Sequence, residues 1–375
     1  MTIKIRETPI DGDIKPFLNV VELIYRDDPC YVRPLDMEIR DRLSSKNPFF
    51  EHGEATTFTA FRDDVCVGRC TASIDRGHIE RYHDGCGFFG FFDTIDSEEV
   101  AQALLERAAS WLRVRNMRIM RGPISLCVNE ELGCLVDGFD SSPFYMMPHH
   151  RSYQGGLIES AGLSKVKDLF AWKYNVGELS ERALKAHQSI ASMPEVKLRT
   201  VDIKHIDRDV RLVMDVYNDA WSDNWGFVSL TEKELAQLAK DMRLVLIPDL
   251  TQIIEINGEP VAVALGLPNL NEMIKDLHGK LLPFGVAKLL WRLKVRGPKS
   301  ARLILLGIRR KLRGVRRYAA LSTYMYVEIH YAAKRQNVLD TELSWTIEDN
   351  APVNLGIRFM GGKKYRTLRV YEKGI

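Results

Sequence analysis

Residues 305–321 read LLGIRRKLRGVRRYAAL, an apolar run that ends in six basic residues within the nine positions from Arg309 to Arg317. Three readings compete: a nucleic-acid patch, a membrane-facing surface, or a loop that holds a phosphorylated cofactor. The flanking sequence narrows them. On one side ARLILLGI (301–308) has the length and continuity of a buried strand. On the other, GVRRYAALSTYMYVEIHYAAKRQN (314–337) reads as a helix and DTELSWTIEDN (340–350) as a further strand. Strand, helix, strand implies a parallel pair with a right-handed crossover.

Upstream, TQIIEINGEPVAVALGLPN (251–269) is a hairpin turning at Asn257–Gly258, and Thr231 with Glu234 forms a capping box that starts a helix. The first half repeats this order. ATTFTAFRDD and VCVGRCTASID, joined at Asp63–Asp64, read as a hairpin; GCGFFGFFDTID is a buried strand; EEVAQALLERAASWLRVRN is a helix with acids first and arginines last; MRIMRGPIS returns as a strand. Two α/β modules in tandem follow, each a mixed, mostly antiparallel sheet flanked by helices with one parallel β-α-β unit. The expected division is residues 1–175 and 176–375, with a long loop at 121–156 in the first module and an insertion at 272–300 in the second.

A chain of 375 residues suits two domains, and 45% hydrophobic with 27% charged residues is the balance of a folded protein. No apolar stretch approaches the roughly 20 residues that span a bilayer. MTIKIRETPIDGDIKP at the N-terminus carries acids and no apolar core, so no cleaved signal and a cytoplasmic location are expected. The six cysteines show no CxxC and no neighbouring His at zinc-finger spacing, so free thiols and no metal are expected.

Charge is concentrated. Residues 275–317 hold fourteen Lys and Arg against Asp276 alone, so this segment is +13 and the remainder −10 within a net +3. An acidic body with one basic belt points to a single anionic partner surface. The insertion places Leu281, Leu282, Phe284, Val286, Leu289, Leu290, Trp291 and Leu293 beside Lys288, Arg292, Lys294 and Arg296. Such a segment fits the interface of an anionic membrane; it equally fits a helix packed on the protein with a solvated basic rim. A belt that binds RNA or DNA, with Tyr318, Tyr324 and Tyr326 stacking on bases, is opposed by Leu321, Met325 and Ile329, which make the same helix a core helix. Nucleic acid is therefore not expected as a partner.

The loop frame Lys311-Leu312-Arg313-Gly314-Val315-Arg316 resembles the Gln/Arg-x-x-Gly-x-Gly/Ala loop of the GNAT superfamily, the Gcn5-related acyl-CoA-dependent N-acyltransferases. WTIEDNAPVNLGIRFMGGKKY, with Asn350 and Gly361, and the hairpin VAVALGLPNLNE resemble the same family over roughly residues 200–372. Backbone N–H groups at a helix N-terminus can bind pyrophosphate, and Gly314 lets the backbone approach. Gly307, Ile308, Arg309, Arg310, Lys311, Arg313, Gly314, Val315 and Asn350 are the implied acyl-CoA contacts, with N–H groups near Gly307 and Ile308 facing the oxyanion. Two positions depart from the pattern: Arg316 stands where a small residue is usual, and Ile357 where many members place the tyrosine that protonates the thiolate. In the first half the corresponding strand ends in FFDTIDSEE, whose acids repel phosphate, so only the second half is expected to bind acyl-CoA.

RGPISLCVNEELGCLVDGFDSSPFYMMPHH (121–150) and ELSWTIEDNAPVNLGI (342–357) look like blocks of the two-module GNAT proteins that include bacterial ceramide synthases. That resemblance implies transfer of an acyl group to the amine of a lipid, such as a sphingoid base. An alkylamine has a pKa near 10.4 and must shed a proton before attack. Glu342 and Glu348, taken to share a face of the strand DTELSWTIEDN, and His149 and His150 are candidate bases; Tyr365 and Tyr145 are candidate acids. Each has a packing or solvated role as its alternative. Asn129, Glu130, Tyr145, Met146 and Met147 are the expected acceptor contacts. A FemABX-type transferase, also a double GNAT module but using aminoacyl-tRNA, is the nearer alternative, and a nucleic-acid-binding protein the more distant one.

Overall fold

Both expected hairpins form in the computed structural model, which describes Thr2–Ile375. The chain divides into two units, residues up to Leu169 with Ile274–Gly285 and Arg366–Ile375 in the first, and Phe170–Met273 with Val286–Tyr365 in the second.

In the first unit β1 (Ile3–Pro9), β2 (Gly53–Arg62), β3 (Val65–Asp75) and β4 (Cys86–Thr94) are successive antiparallel neighbours. Asp63 and Asp64 turn β2 into β3 with φ of 48° and 63°, the left-handed geometry that a two-residue hairpin requires. β5 (Ile119–Gly122) lies parallel to β4, and helix α1 (Glu98–Arg113) makes the crossover. Apolar residues at helical spacing along α1, Val100, Leu104, Leu105, Ala108 and Leu112, are buried with Phe58, Phe89 and Met120. Each buried leucine there contributes roughly 1.5–3 kcal/mol.

A single cut at residue 175 does not describe the division. The chain's last strand, Lys363–Gly374, pairs through Tyr371–Gly374 with β5 and through Thr367–Arg369 with β6 (Cys134–Asp137), so its backbone hydrogen bonds are made in the first unit. The start of the insertion is also tied there: the Asp36 N–H donates to the Gly279 carbonyl at 2.9 Å and Lys275 Nζ to Ser142 Oγ at 3.0 Å. The residues of β7 (Ser164–Asn175) divide between the units after Leu169.

The sheet of the second unit runs from the end of β7 through β12 (Asp340–Ile347), β11 (Ser300–Ile308), β10 (Glu259–Pro268) and β9 (Thr251–Ile256) to β8 (Val196–Thr200). Asn257 and Gly258 make the β9–β10 turn. β11 and β12 are the parallel pair, joined by helix α2 (Leu321–Arg335), whose Leu321, Met325 and Ile329 are buried with Ile254, Val261, Ala262, Leu303 and Leu343. The Thr231–Glu234 capping box is present. The crossover helix begins at Leu321, not at Gly314: Gly314 has φ of 78°, which a right-handed helix excludes, and short 3₁₀ turns occupy 310–312 and 316–318. No described helix is long and apolar enough to cross a membrane.

Candidate functional site

β11 and β12 pair only from Ser300 to Leu303 and from Asp340 to Leu343. Beyond that point β11 continues beside β10, with Val263 opposite Gly307 and Ala262 opposite Ile308, while β12 continues to Ile347. The strands therefore part, and the edge of Ile304–Ile308 faces a wedge. Trp221 Nε1 donates to the Leu306 carbonyl there at 3.2 Å, and Trp345 meets Trp221 edge-on.

In the first unit β4 and β5 part in the same way after Phe88 and Arg121, but the chain fills that gap itself. The Ile124 N–H donates to the Phe89 carbonyl at 2.7 Å, and Ile124 bridges to Leu132. A Cβ on Gly90 would stand 2.2 Å from the Ile124 carbonyl oxygen. In one unit the parted edge is thus met by a side chain, Trp221, and in the other the gap is closed by the chain's own backbone.

A polar cluster sits where β11 and β12 part. Glu342 is fully buried; Ser344 and Tyr365 both donate hydroxyl hydrogen bonds to its carboxylate. Arg302, opposite Glu342 in the strand register, lies 3.4 Å from it and donates from Nε to Ser344 Oγ at 2.8 Å. Burying Glu342 without a counter-charge would be costly, and Arg302 supplies one. Glu342 and Tyr365, separate candidates in the sequence, are thus brought together. Arg302 and Ser344 were not legible as partners, although the Glu-x-Ser spacing puts both side chains on one strand face and Arg302 is the single charge in ARLILLGI.

Glu348 does not share that face: β12 ends at Ile347, and Glu348 lies in the following turn, half-buried, its carbonyl 3.4 Å from Asn354 Nδ2. Asn350 caps helix α3 (Ala351–Phe359), accepting from the Val353 N–H at 3.4 Å.

The basic loop is charge-paired inside its own unit. Arg309 pairs with Asp215, Arg310 with Asp223 at 3.0 Å, Lys311 with Glu259 at 2.5 Å and Arg317 with Glu195; Arg313 donates to the Ala220 carbonyl. The Arg310 N–H donates to Asp219 at 2.7 Å, and those of Leu312, Arg313 and Val315 close local turns. Gly314 faces open space. Exposed pairs of this kind are worth about 0–1 kcal/mol, so an incoming polyanion can exchange them.

The remaining candidates lie in the first unit. Glu130 pairs with Arg42 at 2.6 Å, Met147 is buried, and Asn129, Tyr145 and Met146 are half-buried. His149 Nε2 is 2.9 Å from Asp28, while its carbonyl lies 3.0 Å from the Tyr25 hydroxyl, which donates to the buried Asp93. Asp93 also holds Arg69 at 2.8 Å. The sequence showed no sign of this network except an Asp at the end of an aromatic strand. His150 Nδ1 accepts from the Leu135 N–H at 3.1 Å, and burial pulls its ring down to about 4. Among the described residues His78, Asp84 and Cys86 form a group of metal-binding type, with Arg121 3.8 Å from Asp84 already supplying a positive charge.

His150 has a measurable consequence. Its folded-state pKa is below the unfolded value near 6.5, so the unfolded chain gains a proton first as pH falls. The stability it contributes is complete above pH 6.5 and is lost as pH falls toward 4. Urea unfolding should show about 2 kcal/mol more loss between pH 7 and 5 in the parent than in His150→Gln. Equal losses would mean that the ring is not buried in its neutral form.

No protein-family model matches the chain. By sequence it is 39% identical over 377 aligned positions to the bacterial ceramide synthase of Caulobacter vibrioides (strain NA1000 / CB15N), covering 97% of this chain and 95% of that protein. It is 35% identical over 364 positions to Protein YghO of Escherichia coli (strain K12), covering 97% and 93%. In fold it is similar to a tandem GNAT protein from the clavulanic acid biosynthesis pathway, with a TM-score of 0.59 at 11% identity over 100% of this chain and 98% of that one. A GCN5-related N-acetyltransferase from Sphaerobacter thermophilus gives 0.57 at 12% identity, over 99% and 95%. With two α/β modules, a parted parallel pair in the second and near full-length identity above one third, the chain belongs to the bacterial ceramide synthase family, N-acyltransferases built on the tandem GNAT fold.

Proposed function

We propose that the chain transfers the acyl group of an acyl-CoA to the primary amine of a lipid of the sphingoid-base type. The observation that carries this reading is the open parting of β11 and β12 beside the Arg302–Glu342–Ser344–Tyr365 cluster, set against the self-filled gap between β4 and β5. The sphingoid-base acceptor draws its support from the ceramide synthase relative.

In this mechanism the thioester lies in the wedge and the CoA phosphates exchange for the acids now paired with Arg309, Arg310 and Lys311. Gly307 and Ile308 lie on the strand edge that faces the thioester carbonyl. The ammonium gives its proton to Tyr365 as Tyr365 passes its own to Glu342. The free amine attacks the carbonyl carbon, the C–S bond breaks, the amide nitrogen gives up its second proton to solvent water, and the stored proton returns through Tyr365 to the CoA thiolate. Arg302 compensates the Glu342 carboxylate before the proton arrives and after it leaves.

The test is release of free CoA thiol with a panel of acyl-CoAs and amines. Thiol should appear with long-chain acyl-CoA and a sphingoid base, together with the N-acyl product. Product formed from aminoacyl-tRNA without thiol release would replace this reading with the FemABX-type one.

We also propose that the acceptor is met at an anionic membrane surface. In the second unit Leu290, Trp291 and Val295 are more than half exposed, and Lys288 and Lys294 are exposed on the same short segment. Each basic residue near such a surface contributes about 1 kcal/mol. Reversing Lys288 and Lys294 to Glu should lower sedimentation with phosphatidylglycerol vesicles by about thirtyfold or more in partition coefficient; unchanged sedimentation removes the membrane reading.

A further inference from the structure

The helix Ile206–Trp221 brings its C-terminal half against the basic loop and the parted strand edge of the same unit. Asp215 and Asp219 on it, and Asp223 just past its end, recur every four residues and so form one stripe. Every member of the stripe meets the loop. Asp215 pairs with Arg309, Asp219 accepts from the Arg310 N–H at 2.7 Å, and Asp223 pairs with the Arg310 guanidinium at 3.0 Å. The Ala220 carbonyl, at the negative end of the helix, accepts from Arg313. At Trp221 the polarity reverses: its Nε1–H donates to the Leu306 carbonyl on the strand edge at 3.2 Å.

These contacts have the chemistry of an acyl-CoA. Its phosphates offer anionic oxygens to arginines and backbone N–H groups, and the arm between phosphates and thioester carries amide N–H groups suited to a strand-edge carbonyl. Along the seam, acids lie on the loop and an N–H donor lies on the edge, the order in which such a ligand presents them. The body of the helix is fixed: Ile206, Val210, Val213, Val216 and Ala220 are buried, and Arg199 holds Asp209 at 2.9 Å. Its acids are not. The side chains of Asp215 and Asp223 are 69% and 71% exposed, and Trp221 is half-buried. Turning four side chains therefore clears both the loop and the edge without unfolding the helix.

We propose that Asp215, Asp219, Asp223 and Trp221 form an autoinhibitory latch that occupies the donor's contacts and gives way to it. This rests on the donor reading given under Proposed function. It makes donor binding a competition, so the acids set the affinity together with the arginines they cover. It also requires the Trp221 indole to change its surroundings as the donor binds.

The test is isothermal titration of the full chain with free coenzyme A. Replacing Asp215, Asp219 and Asp223 together with alanine should lower Kd by about tenfold or more, as three competing pairs are lost. A matched variant removes the same charge elsewhere in the unit: Asp207, Glu232 and Asp241, which meet Arg243, Arg211 and Gln237, all become alanine. At physiological salt it should move Kd by less than about twofold, because charges beyond about 8 Å are screened. If the first variant loses its helical circular dichroism, Asp215→Asn with Asp223→Asn keeps the side-chain shapes and gives the same comparison. Saturating coenzyme A should also shift tryptophan emission by a component absent from Trp221→Phe; an equal shift in both removes Trp221 from the latch. A Kd unmoved in the folded variant, or lowered equally in the matched one, overturns the latch and leaves the donor reading standing. Parent and variants that all fail to bind coenzyme A overturn the donor reading and the latch with it.

Discussion

Tyr365→Phe is expected to lower kcat for CoA release by about 10²–10⁴-fold, the range for loss of a positioned general acid or base, with little change in KM for acyl-CoA. The hydroxyl is the group that Glu342 holds, and removing it leaves the ring's packing in place. Glu342→Gln should act in the same direction, because an amide cannot take up the proton. Glu342→Ala should do more: it strands Arg302, which is 5% exposed, as an uncompensated buried charge and should cost about 3–5 kcal/mol in urea unfolding. Activity of Tyr365→Phe within about twofold of the parent would reduce the cluster to a structural ion pair and return the acid–base role to another residue.

The second large effect concerns the closed gap of the first unit. Gly90→Val should destabilise the protein by more than about 4 kcal/mol, because its Cβ would stand 2.2 Å from the Ile124 carbonyl oxygen and 2.6 Å from the carbonyl carbon. Both are backbone atoms of a segment held by the Ile124–Phe89 hydrogen bond, so the clash cannot be relieved by turning a side chain. Gly156→Ala, where a Cβ meets nothing within 4 Å, should stay within about 1 kcal/mol of the parent and serves as the control. A Gly90→Val protein melting within about 2 °C of the parent would mean that this gap is open, removing the contrast between the units on which the choice of donor site rests.

The basic segment shows how a linear charge count misleads. The belt from Lys275 to Arg317 is +13 in sequence. In the fold, Arg296, Arg302, Arg309, Arg310, Lys311 and Arg317 all meet carboxylates from elsewhere in the second unit. What faces solvent beside exposed apolar residues is a smaller set of lysines.

Local rules reached far along this chain. Both hairpin turns, the capping box at Thr231, helix α1 with acids first and Arg113 last, and the two β-α-β units follow from hydrophobic period and turn chemistry, which act over a few residues and can be read from order alone. The tandem α/β architecture was legible for the same reason. Register was not. That Arg302 lies opposite Glu342, that Tyr365 reaches the same carboxylate, and that Glu348 falls just past the strand's end depend on where two strands pair and where they part. The pairing of the loop's arginines and the return of the last strand to the first unit depend likewise on contacts between residues far apart in the chain. By itself the sequence determined which elements form and in what order, because those choices are local. Only the tertiary structure decided which of two similar strand gaps the backbone closes and which side chains meet at the other, because a one-residue shift in register would reverse every face.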